Sequence, residues 1–167
     1  MSTTMKGDLK LARSLFEKGK AQDALELYQR LLDEYQSMDV DILRDRAWAQ
    51  AQYGDKTEAL NDREIIIRSD NAKVSDFYFA AELAIELGEL GKAVAYLDEV
   101  TNRSLEQGDS YYLQESRLLK AFCSLKLGNV EEAMSLIQGI DDDIELLWVA
   151  GEERISKRDI LDALEKI

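Results

Sequence analysis

The chain has no histidine, one cysteine and no proline, so its reactive groups are 34 carboxylates, 21 lysines and arginines, seven tyrosines and Cys123. Histidine is the usual general base and the commonest metal ligand near neutral pH, and its absence removes most acid–base and metal designs together. One thiol cannot build a zinc site. Cys123 stands two residues after Ala121 in an apolar helical stretch and reads as a small core residue rather than a nucleophile. The densest acidic cluster, Asp141 to Asp143, lacks the spacing and closing glutamate of a calcium loop. It reads instead as an N-cap, whose side-chain oxygens satisfy free backbone N–H groups. The nine glycines stand singly and form no phosphate-cradling loop. The expectation is a protein with no catalytic residues, no cofactor and no metal, hence not an enzyme.

Charge points toward a partner. The net charge is −13 and uneven: residues 1–70 hold 11 basic and 14 acidic side chains, residues 71–167 hold 10 and 20. Such a field repels nucleic acid and anionic membrane and accelerates encounter with a basic protein surface. Solubility alone is an equally good reason for acidity. The N-terminal stretch Met1–Gly19 has no signal-peptide apolar core, and no apolar run reaches bilayer-spanning length. With a single cysteine, these features predict a cytoplasmic address. No proline-rich or glycine/serine-rich linker can be drawn, so 1–167 is read as a single domain.

What must position these groups is a repeat. Ala12, Gly19 and Ala24 recur as Ala47, Gly54, Ala59, then Ala81, Gly88, Ala93, then Ala121, Gly128, Ala133. The copies are offset by 35, 34 and 40 residues, and an apolar residue follows the last alanine each time (Leu25, Leu60, Val94, Met134). Each glycine separates two stretches with apolar residues three to four apart, so each copy predicts two helices. A glycine with positive φ ends the first helix, and the alanines let the pair approach closely. Such a hairpin cannot bury its apolar face alone and must stack on neighbours.

The expected helices run over 5–18, 21–36, 40–53, 56–69, 74–87, 90–101, 110–127 and 130–138. The longer third step places an insertion at Asn102–Ser110, either a loop or an extended helix end. After it, Asp141–Asp143 predicts a helix over Ile144–Arg154, and Ser156 with Asp159 a capping-box start to a last helix, Lys157–Ile167. These terminal helices are expected to cover the end of the stack.

With its small–glycine–alanine framework and the Tyr28 that follows Ala24 by four, the chain resembles the tetratricopeptide repeat family over about residues 5–140. It departs from that pattern in lacking the proline that closes a repeat. The resemblance implies an all-α, right-handed superhelical stack of four hairpins (about 5–38, 40–73, 74–107 and 114–140) with a cap over 141–167. It also implies that the first helix of each hairpin lines a concave groove. Transferred residue by residue, the groove positions are Arg13 in the first repeat, and Asp41, Arg44 and Trp48 in the second. The third gives Tyr78, Glu82 and Glu86; the fourth gives Glu115, Leu118 and Phe122. The set runs from mixed to acidic. Trp48 and Phe122 are read equally as core residues, and Glu82 and Glu86 as a solvated face paired with Lys92 or Lys120. Arg44 alone does not match the basic clamp that holds acidic peptide tails.

Three functions fit an acidic protein-binding repeat. The leading one is an immunity or antitoxin-type protein that sheathes a basic effector toxin; the segment Trp148–Ile167 resembles the ends of bacterial repeat proteins of that sort. The second is a repeat-type secretion chaperone, and the third a general assembly scaffold. Oligomeric state is not legible.

Overall fold

The hairpins follow directly from the small residues. In the computed structural model, which describes residues 3–35, 39–108, 111–149 and 152–166, the eight repeat alanines have at most 1% of their surface exposed. A larger side chain at any of them pushes paired helices apart. Replacing Ala81 or Ala93 with Leu is expected to cost ~1–3 kcal/mol, read as a lower urea midpoint at unchanged slope.

The chain divides into two compact units, one ending at Ala72 and one beginning at Lys73. The first holds α1 (Thr3–Glu17), α2 (Ala21–Tyr35), α3 (Val40–Tyr53) and α4 (Lys56–Ile67). The second holds α5 (Val74–Glu86), α6 (Leu90–Gln107), α7 (Leu113–Lys126) and α8 (Val130–Ile137), then β1 (Glu145–Val149), β2 (Glu152–Ser156) and α9 (Lys157–Leu164). In the first unit Met5, Leu9, Ala12, Ala24, Leu27, Leu31 and Ile42 form a continuous apolar core. Every repeat helix lies within three residues of its expected bounds except the end of α6.

The glycine turns form as expected at Gly19, Gly88 and Gly128, with φ of 75°, 77° and 80°. At Gly88 the Glu89 N–H bonds the Ala84 carbonyl at 2.7 Å, closing the helix end with a left-handed residue. Gly54 departs from the pattern, with φ of −129°. There Gln50 Oε1 accepts from the Asp55 N–H at 2.9 Å, and Asp55 caps α4 by accepting from Thr57 N–H at 2.7 Å. Side-chain bonds replace the left-handed turn.

The insertion proves to be helix. α6 continues through Gln107 and stops at Gly108, φ 66°; residues 109 and 110 of the expected insertion lie outside the described residues.

The cap differs from expectation. A helix over Ile144–Arg154 does not form; β1 and β2 pair antiparallel there, with Leu146 opposite Ile155 and Leu147 opposite Arg154. A helix there would hold Gly151 in its interior, which is unfavourable by about 1 kcal/mol; Ala150 and Gly151 lie outside the described residues. Asp141–Asp143 therefore caps no helix. The Asp141 carboxylate accepts from Gln114 Nε2 at 3.0 Å, and Asp142 pairs with Lys157 at 2.7 Å. The last helix does form, with the expected reciprocal cap: Ser156 Oγ accepts from Asp159 N–H at 3.2 Å, and Asp159 accepts from Ser156 N–H at 3.0 Å. Its Ile160, with Ile155 and Leu146, is buried. Ile167 lies outside the described residues.

These cap carboxylates predict acid sensitivity. The Ser156 hydrogen bond first, and Arg154 after it, hold Asp159 below the ordinary carboxylate range, and the Lys157 ammonium does the same for Asp142. A depressed carboxylate contributes stability above its unfolded value, about 3.9, and loses it as pH falls through the folded value. Protection of α9 amides, corrected for the intrinsic exchange rate, is expected to fall below about pH 4 ahead of that of α5 and α6. An Asp142→Asn/Asp159→Asn variant should show lower α9 protection at neutral pH, with a flatter acid profile.

Candidate functional site

The first-helix surface of the first unit is a paired-charge surface. Arg13 on α1 donates from Nε to Asp45 Oδ2 of α3 at 2.6 Å. That bond holds the Arg13 guanidinium above its ordinary value, whereas burial, outweighing the same bond, raises the Asp45 carboxyl. Tyr28 lies buried beside the pair, its phenol pushed up to about 12 chiefly by burial. Arg44 is turned to structural use: Nη2 donates to the Asn71 carbonyl at 2.7 Å and Nη1 to Asp41 at 3.3 Å. Asp41 stays exposed, and Trp48 presents 46% of its surface. Tyr53, on the same helix, is 68% exposed and lies edge-on to Phe16 at 5.6 Å.

The corresponding surface of the second unit is acidic and aromatic. Two of its expected groove residues prove to be interior: Leu118 is fully buried, and Tyr78 is 5% exposed. The Tyr78 ring packs 4.8 Å from Tyr112, which explains its burial. Burial first, then the charges of Glu82 and Glu115, drive its phenol far above the ordinary range. Glu86 is exposed, and Glu82 and Glu115 are half-buried. Phe122 is half-buried with the Lys126 ammonium 5.0 Å over its ring. Lys120 pairs across to Asp98 at 2.6 Å and Glu132 at 3.2 Å, and Lys92 to Glu89 at 2.7 Å.

Tyr53, Tyr111 and Tyr112 escaped the transfer of groove positions. Tyr111 is 71% exposed. The signal for it was present: an adjacent tyrosine pair directly after the inserted residues.

Cys123 is buried, which pushes its thiol up to about 12 and leaves almost no thiolate at neutral pH. Among the described residues no three carboxylates or thiols converge as metal ligands, and no helix is long and apolar enough to cross a membrane. What remains is a surface of charges and aromatic rings on rigid helices, an arrangement suited to holding another protein.

Residues 9–72 match the tetratricopeptide repeat family. No curated protein sequence matches the chain. Among solved structures, a tetratricopeptide repeat protein from Parabacteroides merdae is 22% identical with a TM-score of 0.66, covering 80% of this chain and 50% of its own. This chain thus spans about half the length of that protein. MamA from Desulfovibrio magneticus RS-1 is 14% identical with a TM-score of 0.70, covering 83% and 74%. The TPR2B domain of yeast Sti1, solved as a complex with pHsp70, is 21% identical with a TM-score of 0.64, covering 75% and 99%. At these identities the structural likeness establishes the fold. Residues 9–72 thus carry the tetratricopeptide-repeat sequence pattern, and the all-α hairpin fold of tetratricopeptide-repeat proteins continues past them.

Proposed function

We propose that this repeat protein is a non-catalytic cytoplasmic binder that neutralises a basic effector toxin by occupying its surface. The observation that carries the reading is the contrast between the two units. Arg13 and Arg44 in the first are each bonded to carboxylates, and Glu82, Glu86 and Glu115 mark the first helices of the second, which holds most of the net negative charge. An antagonist of a toxin must find it quickly, and an acidic field meeting a basic surface raises association rates by orders of magnitude. The two groove arginines, each bonded within the chain, argue against capture of an acidic peptide tail. The pHsp70 complex of the Sti1 domain therefore carries over only as a precedent for protein binding.

The test is co-expression with the product of the adjacent gene. A stable complex and restored growth of cells poisoned by that product are expected. A partner that is harmless, and that needs this chain only for export or for assembly into a larger complex, would replace this reading with a chaperone or scaffold role.

A further inference from the structure

The cap of the second unit contains a sheet of two strands, β1 and β2. Helices α7 and α9 pack against β2, so β1 is the outer strand. Among the described residues no backbone hydrogen bond joins β1 to any strand or loop except β2. In an antiparallel pair every second residue turns its N–H and C=O away from the neighbouring strand, so β1 keeps an unpaired edge. Proteins usually blunt such an edge with proline, lysine, a bulge or a covering element. Apart from its shortness and one charge at its first position, Glu145, β1 has none of these. Its sequence, Glu-Leu-Leu-Trp-Val, contains no proline, lysine or arginine. Its register with β2 is continuous, from Glu145 opposite Ser156 to Val149 opposite Glu152, with no bulge. The edge is therefore able to accept another strand.

Charge decides which strand fits. Asp141, Asp142, Asp143 and Glu145, at the entry to β1, are all exposed. Lys157 pairs with Asp142 at 2.7 Å, and Arg154 is divided between Asp159 at 3.1 Å and Glu145 at 3.9 Å, so carboxylates stay in excess. A second copy of this chain would set one acidic edge against another, with a net charge of −13 on each molecule. A segment carrying lysine or arginine meets complementary charge instead.

We propose that β1 takes up an extended segment of a basic partner protein as a third strand of this sheet, with lysine or arginine side chains of that segment beside the acidic entry. Main-chain pairing supplies affinity and tolerates many sequences, while charge selects among them. The proposal rests on the reading that the partner is a basic protein, but not on that partner being a toxin.

The test follows the backbone amides of the full chain by NMR with the peptide acetyl-Arg-Val-Thr-Val-Arg-amide. Three relatives are compared: one with glutamate in place of arginine, and two N-methylated forms, at odd or at even residues. Saturable shifts at the β1 amides are expected with the arginine peptide, and binding at least about tenfold weaker at low salt with the glutamate peptide. One N-methylated form, having lost the N–H groups that face β1, should bind at least about fivefold more weakly, and the other should keep its affinity. Glu145→Lys, with melting unchanged, should weaken the arginine peptide at least about threefold. Unmoved β1 amides, equal binding of the glutamate peptide, or full binding by both N-methylated forms would overturn the proposal. So would a dimer of the chain, seen by sedimentation, that protects the same amides, because the edge would then belong to a second copy. A complex with the adjacent gene product that leaves the β1 amides unmoved would overturn the third strand alone. Peptide binding without any such complex would overturn the proposed partner and leave the edge standing.

Discussion

Arg46→Ala is expected to cost about 3–5 kcal/mol, the largest loss from any single substitution in the first unit. Arg46 of α3 grips the Asp62 carboxylate of α4 with two bonds, Nε to Oδ2 at 2.8 Å and Nη2 to Oδ1 at 2.6 Å, and its Nη1 donates to Gln29 of α2. Asp62 is 1% exposed, so one guanidinium ties three helices around a carboxylate with almost no access to water. Removing the arginine leaves that charge buried and unpaired, which outweighs the Coulombic energy lost. Arg46→Lys should fall between, because an ammonium cannot reproduce the planar two-bond geometry. Urea denaturation of the three proteins checks the order. A loss under about 1 kcal/mol, the scale of an exposed pair, would mean that another donor takes over Asp62.

Deleting the cap after Ile140 should have an effect of similar size by another mechanism. Hairpins of a solenoid bury their apolar faces against the next element, and the last one needs a cover. Here the cover contributes Leu146, Ile155 and Ile160, and Lys157 anchors it by donating to the Ile140 carbonyl at 2.7 Å. Without it Ile137 and Ile140, each 3% exposed, lose their cover, and the truncated protein is expected to aggregate or lose its sharp melt. The gentler Ile160→Ala should stay folded and cost about 2–5 kcal/mol. Size-exclusion chromatography and thermal melts separate the cases. A monomeric truncation with an unchanged melt would make the cap an appendage rather than a lid.

The hairpins were legible because small residues and a fixed period leave little choice. Ala81 and Ala93 must face each other across a hairpin, and Gly88 must turn it. The cap was misread because Glu145–Val149 is short and apolar, and periodicity alone does not separate a strand from a helix at that length. Gly151 disfavours a helix by sequence alone, and the acidic run Asp141–Asp143 imitates a helix start that the described residues do not form. At the candidate site, exposure was the unreadable quantity. Tyr78 and Trp48 are both expected groove residues of a first helix, one three before and the other one after its repeat alanine, yet one is buried by Tyr112 and the other stands in solvent. The partner that buries Tyr78 arrives through an insertion that no repeat pattern places. The Asn71 carbonyl that Arg44 bonds is illegible for a related reason: it lies beyond the next helix.

The central claim, an acidic repeat surface that recruits a basic protein, is tested most directly by stopped-flow association with the product of the adjacent gene. Wild type is to be compared with Glu82→Lys/Glu86→Lys across a series of salt concentrations. At low salt the double variant is expected to associate about tenfold more slowly or worse, with dissociation little changed, and the gap should close as salt rises. Trp48→Ala, at an exposed ring, should instead act on dissociation. An association rate that neither the charge reversal nor salt alters would contradict the account and place the interface on another face of the protein.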